Sequence, residues 1–248
     1  MSEPARILRP QASSRFVFIC DHASNYVPAA FAGLGLPAGE LERHIAWDIG
    51  AAGVAETLSE IFDATAVLSG ASRLVIDCNR HLDARDLIPE ISDGTVVPGN
   101  MGLTDAEREA RIAQWFRPYH DAVESVLATR NQPVLVSVHS MTPSLVSKPG
   151  LRPQIALSSH TDRSLADPVL AFLRASGDVT VGDNEPYDLD PSFDYSTPFH
   201  ALSRGLPHLQ VEFRQDEIAD RAGQQKWARR FADALADLKL PCEASSDS

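Results

Sequence analysis

PVLVSVHS, residues 133–140, is a six-residue apolar and β-branched run that stops at a histidine and a serine. A run of that length, bounded by polar residues, reads as a buried strand whose far end delivers reactive groups. Other stretches have the same form. RFVFIC (15–20) stops at Asp21-His22, with Asn25 three residues beyond the histidine. RLVIDC (73–78) stops at Asn79-Arg80, and HLQVEFR (208–214) carries Glu212 and Arg214. Thr65–Leu68, Ile155–Ser158 and Val179–Val181 read as further short strands. Between them, apolar spacing of three to four predicts helices over 49–62, 165–176, 198–204 and 217–239. Thr104, with Glu107 three residues later, is a capping box for a helix that runs to Arg130 and kinks at Pro118. Residues 82–103 hold charges, Gly and Pro and read as a long functional loop.

Alternating strands and helices predict an α/β fold with a mixed, largely parallel sheet. No repeat, linker or break in composition divides the chain, so one catalytic domain is expected over 15–240. Residues 1–14 read as a loose lead-in and 241–248 as a disordered tail. The 248 residues are 44% hydrophobic and 23% charged, ordinary for a soluble domain. Against 34 acidic residues stand 22 Lys and Arg, a formal charge of −12, which speaks against binding nucleic acid or an anionic membrane surface. The three cysteines, Cys20, Cys78 and Cys242, form no CxxC pair, so neither a zinc ribbon nor a disulfide framework is expected. A polar N-terminus and the lack of any apolar run near ~20 residues point to a cytoplasmic protein.

In open α/β sheets ligands bind beyond the carboxyl ends of the strands. Two histidines, a glutamate and an arginine at such ends suggest a metal hydrolase. A catalytic zinc takes three His, Asp or Glu ligands and keeps one position for water. A nearby carboxylate then moves the water proton, and an arginine clamps a substrate carboxylate through two hydrogen bonds. Each residue also has a plainer role. His22 and His139 fit as hydrogen-bonded loop residues, Glu212 as an ion-pair partner of Arg214 or Arg80, and Asn79-Arg80 as a turn. Asp48, just ahead of a helix, fits as its N-cap. GLGLPAG (33–39) has the wrong spacing for a dinucleotide fingerprint, and HExxH, Walker A and GxSxG motifs are absent. Ser140 points away from His139 on a strand. Cys20 and Cys78 sit within apolar runs and read as core.

CDHASNYVP (20–28), HIAWDIGA (44–51), SRLVIDCNR (72–80), SVHSMTP (137–143), VGDNEPYD (181–188) and HLQVEFRQD (208–216) together resemble the N-formylglutamate amidohydrolase family, over most of the chain. The family is similar to zinc carboxypeptidases and aspartoacylases, which implies a three-layer α/β/α, zinc-carboxypeptidase-like fold. It also implies the order metal histidine, Asn-Arg clamp, second metal histidine, catalytic glutamate. That order is matched by His22, Asn79-Arg80, His139 and Glu212. The carboxypeptidase-like pattern places a glutamate ligand where this chain has Asn25, so Asp48 is expected to supply the carboxylate, with Asp21 second. The resemblance implies hydrolysis of a small N-acyl amino acid, N-formyl-L-glutamate in the named members, with Zn²⁺ or another divalent metal and Glu212 as general base. The substrate is then a small-molecule carboxylate held by Arg80. Arg73, Arg85, Arg152 and Arg214 are candidates for a second cation, and Tyr187 and His200 for pocket residues. The CDHASN form differs from the PHSG form of histidine-degradation members and points to a different acylated amino acid or small amide. Other readings are a zinc carboxypeptidase or deacylase of another small acylated amino acid or peptide, a metal-free binding protein for acidic ligands, and a metal-independent hydrolase using Cys20 or Cys78.

Overall fold

The computed structural model describes residues 3–144 and 150–238. The expected tail at 241–248 and Cys242 lie outside the described residues. The strands are β1 (Ala5–Leu8), β2 (Phe16–Cys20), β3 (Thr65–Ser69), β4 (Ile91–Ser92), β5 (Thr95–Val96), β6 (Val134–Met141), β7 (Ile155–Ser158), β8 (Val181–Asp183) and β9 (His208–Arg214). The α-helices are α1 (Ala51–Ile61), α2 (Asp105–Arg111), α3 (Arg117–Ala128), α4 (Ala166–Ala175), α5 (Ser196–His200) and α6 (Arg221–Ala236). Seven strands form one sheet in the order β1-β3-β2-β6-β9-β7-β8. β3, β2, β6 and β9 run parallel, β7 is antiparallel to β9, and β1 is antiparallel to β3. The mixed, largely parallel sheet is the one the alternation predicts.

Period-two alternation builds the layers. Phe16, Phe18 and Cys20 of β2, Val134, Val136 and Val138 of β6, and Leu209, Val211 and Phe213 of β9 pack with α1, α4 and α6. Val17, Ile19 and Leu135 turn to the other side and meet Tyr119 and Val123 of α3. Three layers result, with both sheet faces covered, which is why these strands read as near-continuous apolar runs.

Several expectations need correction. Residues 5–8, read as lead-in, form edge strand β1 against β3. RLVIDC is not a strand. Ser72 Oγ accepts the Leu74 amide at 3.1 Å and Val75 N donates to Ser72 O at 2.8 Å, so the segment turns instead of extending. Its carbonyls need no sheet partner. Asn100 Nδ2 donates to Leu74 O and to Pro89 O (both 2.8 Å), and the buried Arg111 guanidinium donates to Val75 O at 3.0 Å and to Gly99 O at 3.1 Å. The apolar side chains Leu74, Val75 and Ile76 fill a separate core with Ile45, Leu87, Ile112, Trp115 and Phe116. The long loop over 82–103 therefore carries the β4–β5 hairpin and the Asn100 anchor. The capping box at Thr104 forms as expected. The distortion of the long helix is a π turn over 112–116, just ahead of Pro118, in place of a kink at the proline. No helix among the described residues is long and apolar enough to cross a membrane.

Candidate active site

β2, β6 and β9 lie side by side at the centre of the sheet, and their carboxyl ends open into one cleft of ≈ 540 Å³. β2 delivers His22 two residues past its last residue, and β6 carries His139. Glu212 of β9 is the register partner of His139 on the same face of the sheet. Asp48 comes from the connection between β2 and α1. Its amide donates to His22 O at 2.9 Å, which pins the segment to the exit of β2. The N-cap of α1 is Gly50, not Asp48. Gly50 has φ of +83°, and a Cβ there would lie 2.1 Å from the Ile218 carbonyl oxygen, so only glycine makes this close turn.

Asp48 Oδ2 lies 2.9 Å from His139 Nδ1 and 3.4 Å from His22 Nδ1. One ligand atom from each of the three side chains falls within 4.8 Å of the others, a grouping that could hold a metal ion. Ligands bonded at ~2.05 Å in a tetrahedron are separated by about 3.3 Å, close to these spacings. The opposite ring nitrogens are held from behind. His22 Nε2 meets Asp77 Oδ1 at 2.7 Å; His139 Nε2 meets Ser137 Oγ at 2.9 Å and Asp21 Oδ2 at 3.3 Å. A metal-binding histidine is commonly oriented by a carboxylate on its other nitrogen, and both histidines have one. The residues thus fit a divalent metal by donor type, spacing and backing.

The same groups shift one another's protonation. Burial opposes the charge on Asp48, yet His22 and His139 hold its carboxyl well below the usual carboxylate range. Burial likewise opposes charge on His139, but Asp21 and Asp48 push its pKa up. Asp77 is held low against burial by Arg73 and His22. Glu212 moves the other way. Burial, reinforced by Asp48 and opposed by His139, raises its pKa to about 7. Among the described residues its carboxylate accepts no hydrogen bond, so it is uncommitted in the cleft.

Arg80 and Asn79 also line the cleft. Arg80 Cζ lies over the Phe193 ring, 3.7 Å from its centroid, with Nε on Asp86 Oδ2 at 2.9 Å and Nη1 on Asn79 O at 2.8 Å. Asn79 is an organiser. Its Oδ1 accepts the amides of Tyr195 and Ser196 at 2.9 Å, and its Nδ2 donates to Asp194 at 2.9 Å, fixing the start of α5. Tyr187, 41% exposed, stands at the mouth.

The other candidate residues lie elsewhere. His200 is fully buried and outside the cleft lining, its Nε2 2.9 Å from His120 Nδ1 between α5 and α3. Asn25 donates to Leu41 O at 3.1 Å and does not line the cleft. Asp21 backs His139 and accepts from Tyr119 and Ser196. Of the four candidate second cations only Arg73 lines the cleft. Its Nη2 is on Asp77 at 2.8 Å and its Nη1 near Asp48 at 3.4 Å. Arg214 is locked by Asp216, Glu217 and Arg152 O, and Arg152 and Arg85 lie outside the lining. The reading of the sequence missed Asp77. A carboxylate inside an otherwise apolar run was its one visible signal.

A family model described as N-formylglutamate amidohydrolase matches residues 14–219. No curated protein matches the chain. Among solved structures, gene product Atu2144 from Agrobacterium tumefaciens is 34% identical with a TM-score of 0.90, covering 96% of this chain and 97% of that one. N-formylglutamate amidohydrolase from Ralstonia eutropha JMP134 is 20% identical with a TM-score of 0.68, covering 93% of this chain and 95% of its own, a likeness of fold. The family match spans all the strand ends that build the cleft, and the chain belongs to the N-formylglutamate amidohydrolase family.

Proposed function

We propose that the protein is a metal-dependent amidohydrolase of a small N-acyl amino acid, with His22 Nδ1, Asp48 Oδ2 and His139 Nδ1 as the ligands. The observation that carries this reading is the convergence of two histidine nitrogens on one Asp48 oxygen, beside an uncommitted Glu212. Zinc is the metal that best suits two imidazoles and a carboxylate, though such a set also accepts Mn, Fe or Co. A bound metal would supply acidity to a water and polarise the scissile carbonyl. Glu212, with a pKa raised to about 7, takes the proton of the attacking water and returns it to the nitrogen of the leaving amino acid. The amide C–N bond breaks, the acyl carbon keeps the water oxygen, and the amine leaves neutral. Arg80 holds the substrate carboxylate, and Asn79 shapes the loop around it. Asp77 and Asp21 keep both histidines in the tautomer that turns Nδ1 toward Asp48.

N-formyl-L-glutamate, after which the family is named, is the substrate to assay first. The test is metal content on protein purified without added metal, with formate release measured on the same sample before and after chelation. About one zinc per chain with chelator-sensitive release is the expected outcome. Release that survives full removal of metal would overturn the reading.

A further inference from the structure

We propose that Arg152, standing between Thr142 and Tyr187, is a second carboxylate-binding residue of this cleft, and that it reads the side-chain carboxylate of an acyl dicarboxylate whose α-carboxylate lies at Arg80. The proposal rests on the amidohydrolase reading and assigns a specificity-determining residue to it. Topology brings Arg152 to the right end of the sheet. β7 runs antiparallel to β9, so the residues that lead into β7 lie beside the carboxyl end of β9. Arg152 N donates to Pro143 O at 2.9 Å, and Arg214 Nη1 donates to Arg152 O at 3.0 Å, which fixes this backbone just beyond β6 and β9. The side chain then spans two residues of the cleft lining, with Nη1 3.2 Å from Thr142 Oγ1 and Cζ 5.0 Å from the centroid of the Tyr187 ring.

What marks Arg152 is a missing counter-ion. It is 9% exposed, and a guanidinium so buried is ordinarily paired. Among the described residues its side chain donates only from Nη1, to Thr142 Oγ1 and O, and no carboxylate pairs with it. The other arginines of this region are occupied. Arg73 lies on Asp77 and faces Asp48, and Arg214 is held by Asp216 and Glu217. Arg80 has Nε on Asp86 and Nη1 on Asn79 O, which leaves Nη2 for the α-carboxylate. Arg111 is also buried without an acid, but gives its two terminal nitrogens to Val75 O, Asn100 Oδ1 and Gly99 O. Asp188 and Asp190, on the rim beside Tyr187, are exposed and take part in no ion pair among the described residues, so water screens them. Arg152 thus presents a planar fork with open donors in the wall of the cleft. A carboxylate that enters between Thr142 and Tyr187 supplies the missing charge through two hydrogen bonds. An amide in the same place leaves the buried cation unpaired, so the cleft discriminates by charge.

The test measures kcat and KM for release of free amino acid from N-formyl and N-acetyl derivatives of L-glutamate, L-glutamine and L-alanine, using the protein with its metal as isolated. Glutamine is the neutral isostere of glutamate, so that pair isolates charge, and alanine reports what remains without a side-chain contact. Expected for the wild type is a kcat/KM for the glutamate derivative about tenfold or more above that for glutamine. Arg152→Gln should cut the glutamate value about 30-fold or more, chiefly through KM, and the glutamine and alanine values far less, so that the preference disappears. Arg152→Lys keeps the charge but not the fork and should leave a reduced preference. A wild type with no preference for glutamate overturns the proposal while leaving the amidohydrolase reading intact, and this arm requires no variant to fold. Equal losses on all three amino acids in Arg152→Gln also overturn it, since a purely structural role would produce them. Release from none of the six compounds, with or without added zinc, overturns the amidohydrolase reading and the proposal with it.

Discussion

Glu212 owes its place in the cleft to alternation on one strand. Val211 and Phe213 point into the core under α6, and Gln210 and Glu212 point to the cleft. A slip of one residue in β9 would turn the carboxylate into the layer under α6, turn Leu209, Val211 and Phe213 out of it, and remove Glu212 from His139. Where it sits, burial keeps it protonated up to about pH 7, so it gains a proton readily and passes it on readily. Glu212→Gln preserves shape and removes the base. It should retain bound metal and lose a factor of about 10² to 10⁴ in kcat. The sign of the pH effect follows from the role. A base works only when ionised, so kcat/KM rises with pH through the Glu212 pKa, and the acid limb lies at or below about 7, since a bound cation lowers the value. The limb should be missing from the Glu212→Gln profile; a variant with full activity and the same limb would remove Glu212 from the mechanism. At this scale the meeting of His22, His139 and Glu212 in one cleft was readable because each falls near a strand end. Asp77 was hidden inside an apolar run, and nothing local distinguishes the inward-turned His200 from a pocket histidine.

RLVIDC and RFVFIC look alike as strings, yet one turns and the other extends. The difference lies in distant partners. RFVFIC has Thr65–Leu68 and Val134–Ser137 to pair with, while the carbonyls of RLVIDC are met by Asn100 and Arg111, side chains well over 20 residues away in sequence. Short apolar runs are ambiguous until such partners are known. The capping box of α2, a wholly local device, was legible for the converse reason. Helices α3 and α5 meet at another pair that local pattern does not show. His120 Nε2 donates to Cys78 O at 2.9 Å, so its Nδ1 must accept from His200 Nε2, and both rings are neutral. Burial lowers their pKa values to about 4 and about 3, and His200 Nδ1 has no partner. In the unfolded chain each would titrate near 6.5, so the unfolded state takes up protons first. Their contribution to stability is complete above about pH 6.5 and is lost as pH falls toward the folded values. Urea unfolding of the wild type and of His200→Leu between pH 7 and 5 reads this directly. The slope of stability against pH should be smaller in the variant by about one proton, about 1.4 kcal/mol per pH unit. Parallel slopes would mean that His200 does not titrate differently on unfolding.

The whole molecule sets the site at the middle of the sheet because β2, β6 and β9 are consecutive neighbours and parallel, so three strand ends converge on one cleft. The alternation of strands and helices predicted a parallel sheet but not this strand order, which depends on long-range packing. Asn25 stands where the resemblance implies a carboxylate, and the approach of Asp48 depends on a long connection folding back to hydrogen-bond His22 O. The proposed ligand set thus joins two central strands to a segment that enters from outside the sheet. A metal bound there ties these parts together only in the folded state, so it should stabilise the protein by mass action. At a free zinc concentration one hundredfold above the dissociation constant the gain is about 2.7 kcal/mol. For a chain of this size that corresponds to a Tm shift of roughly 5–10 °C. Chelation should lower Tm by that amount and zinc should restore it, while His139→Ala should melt at one temperature in both conditions. A wild-type Tm indifferent to chelator and to added zinc would instead make the His22–Asp48–His139 cluster an ion-pair network, with Asp77, Asp21 and Arg73 balancing its charge.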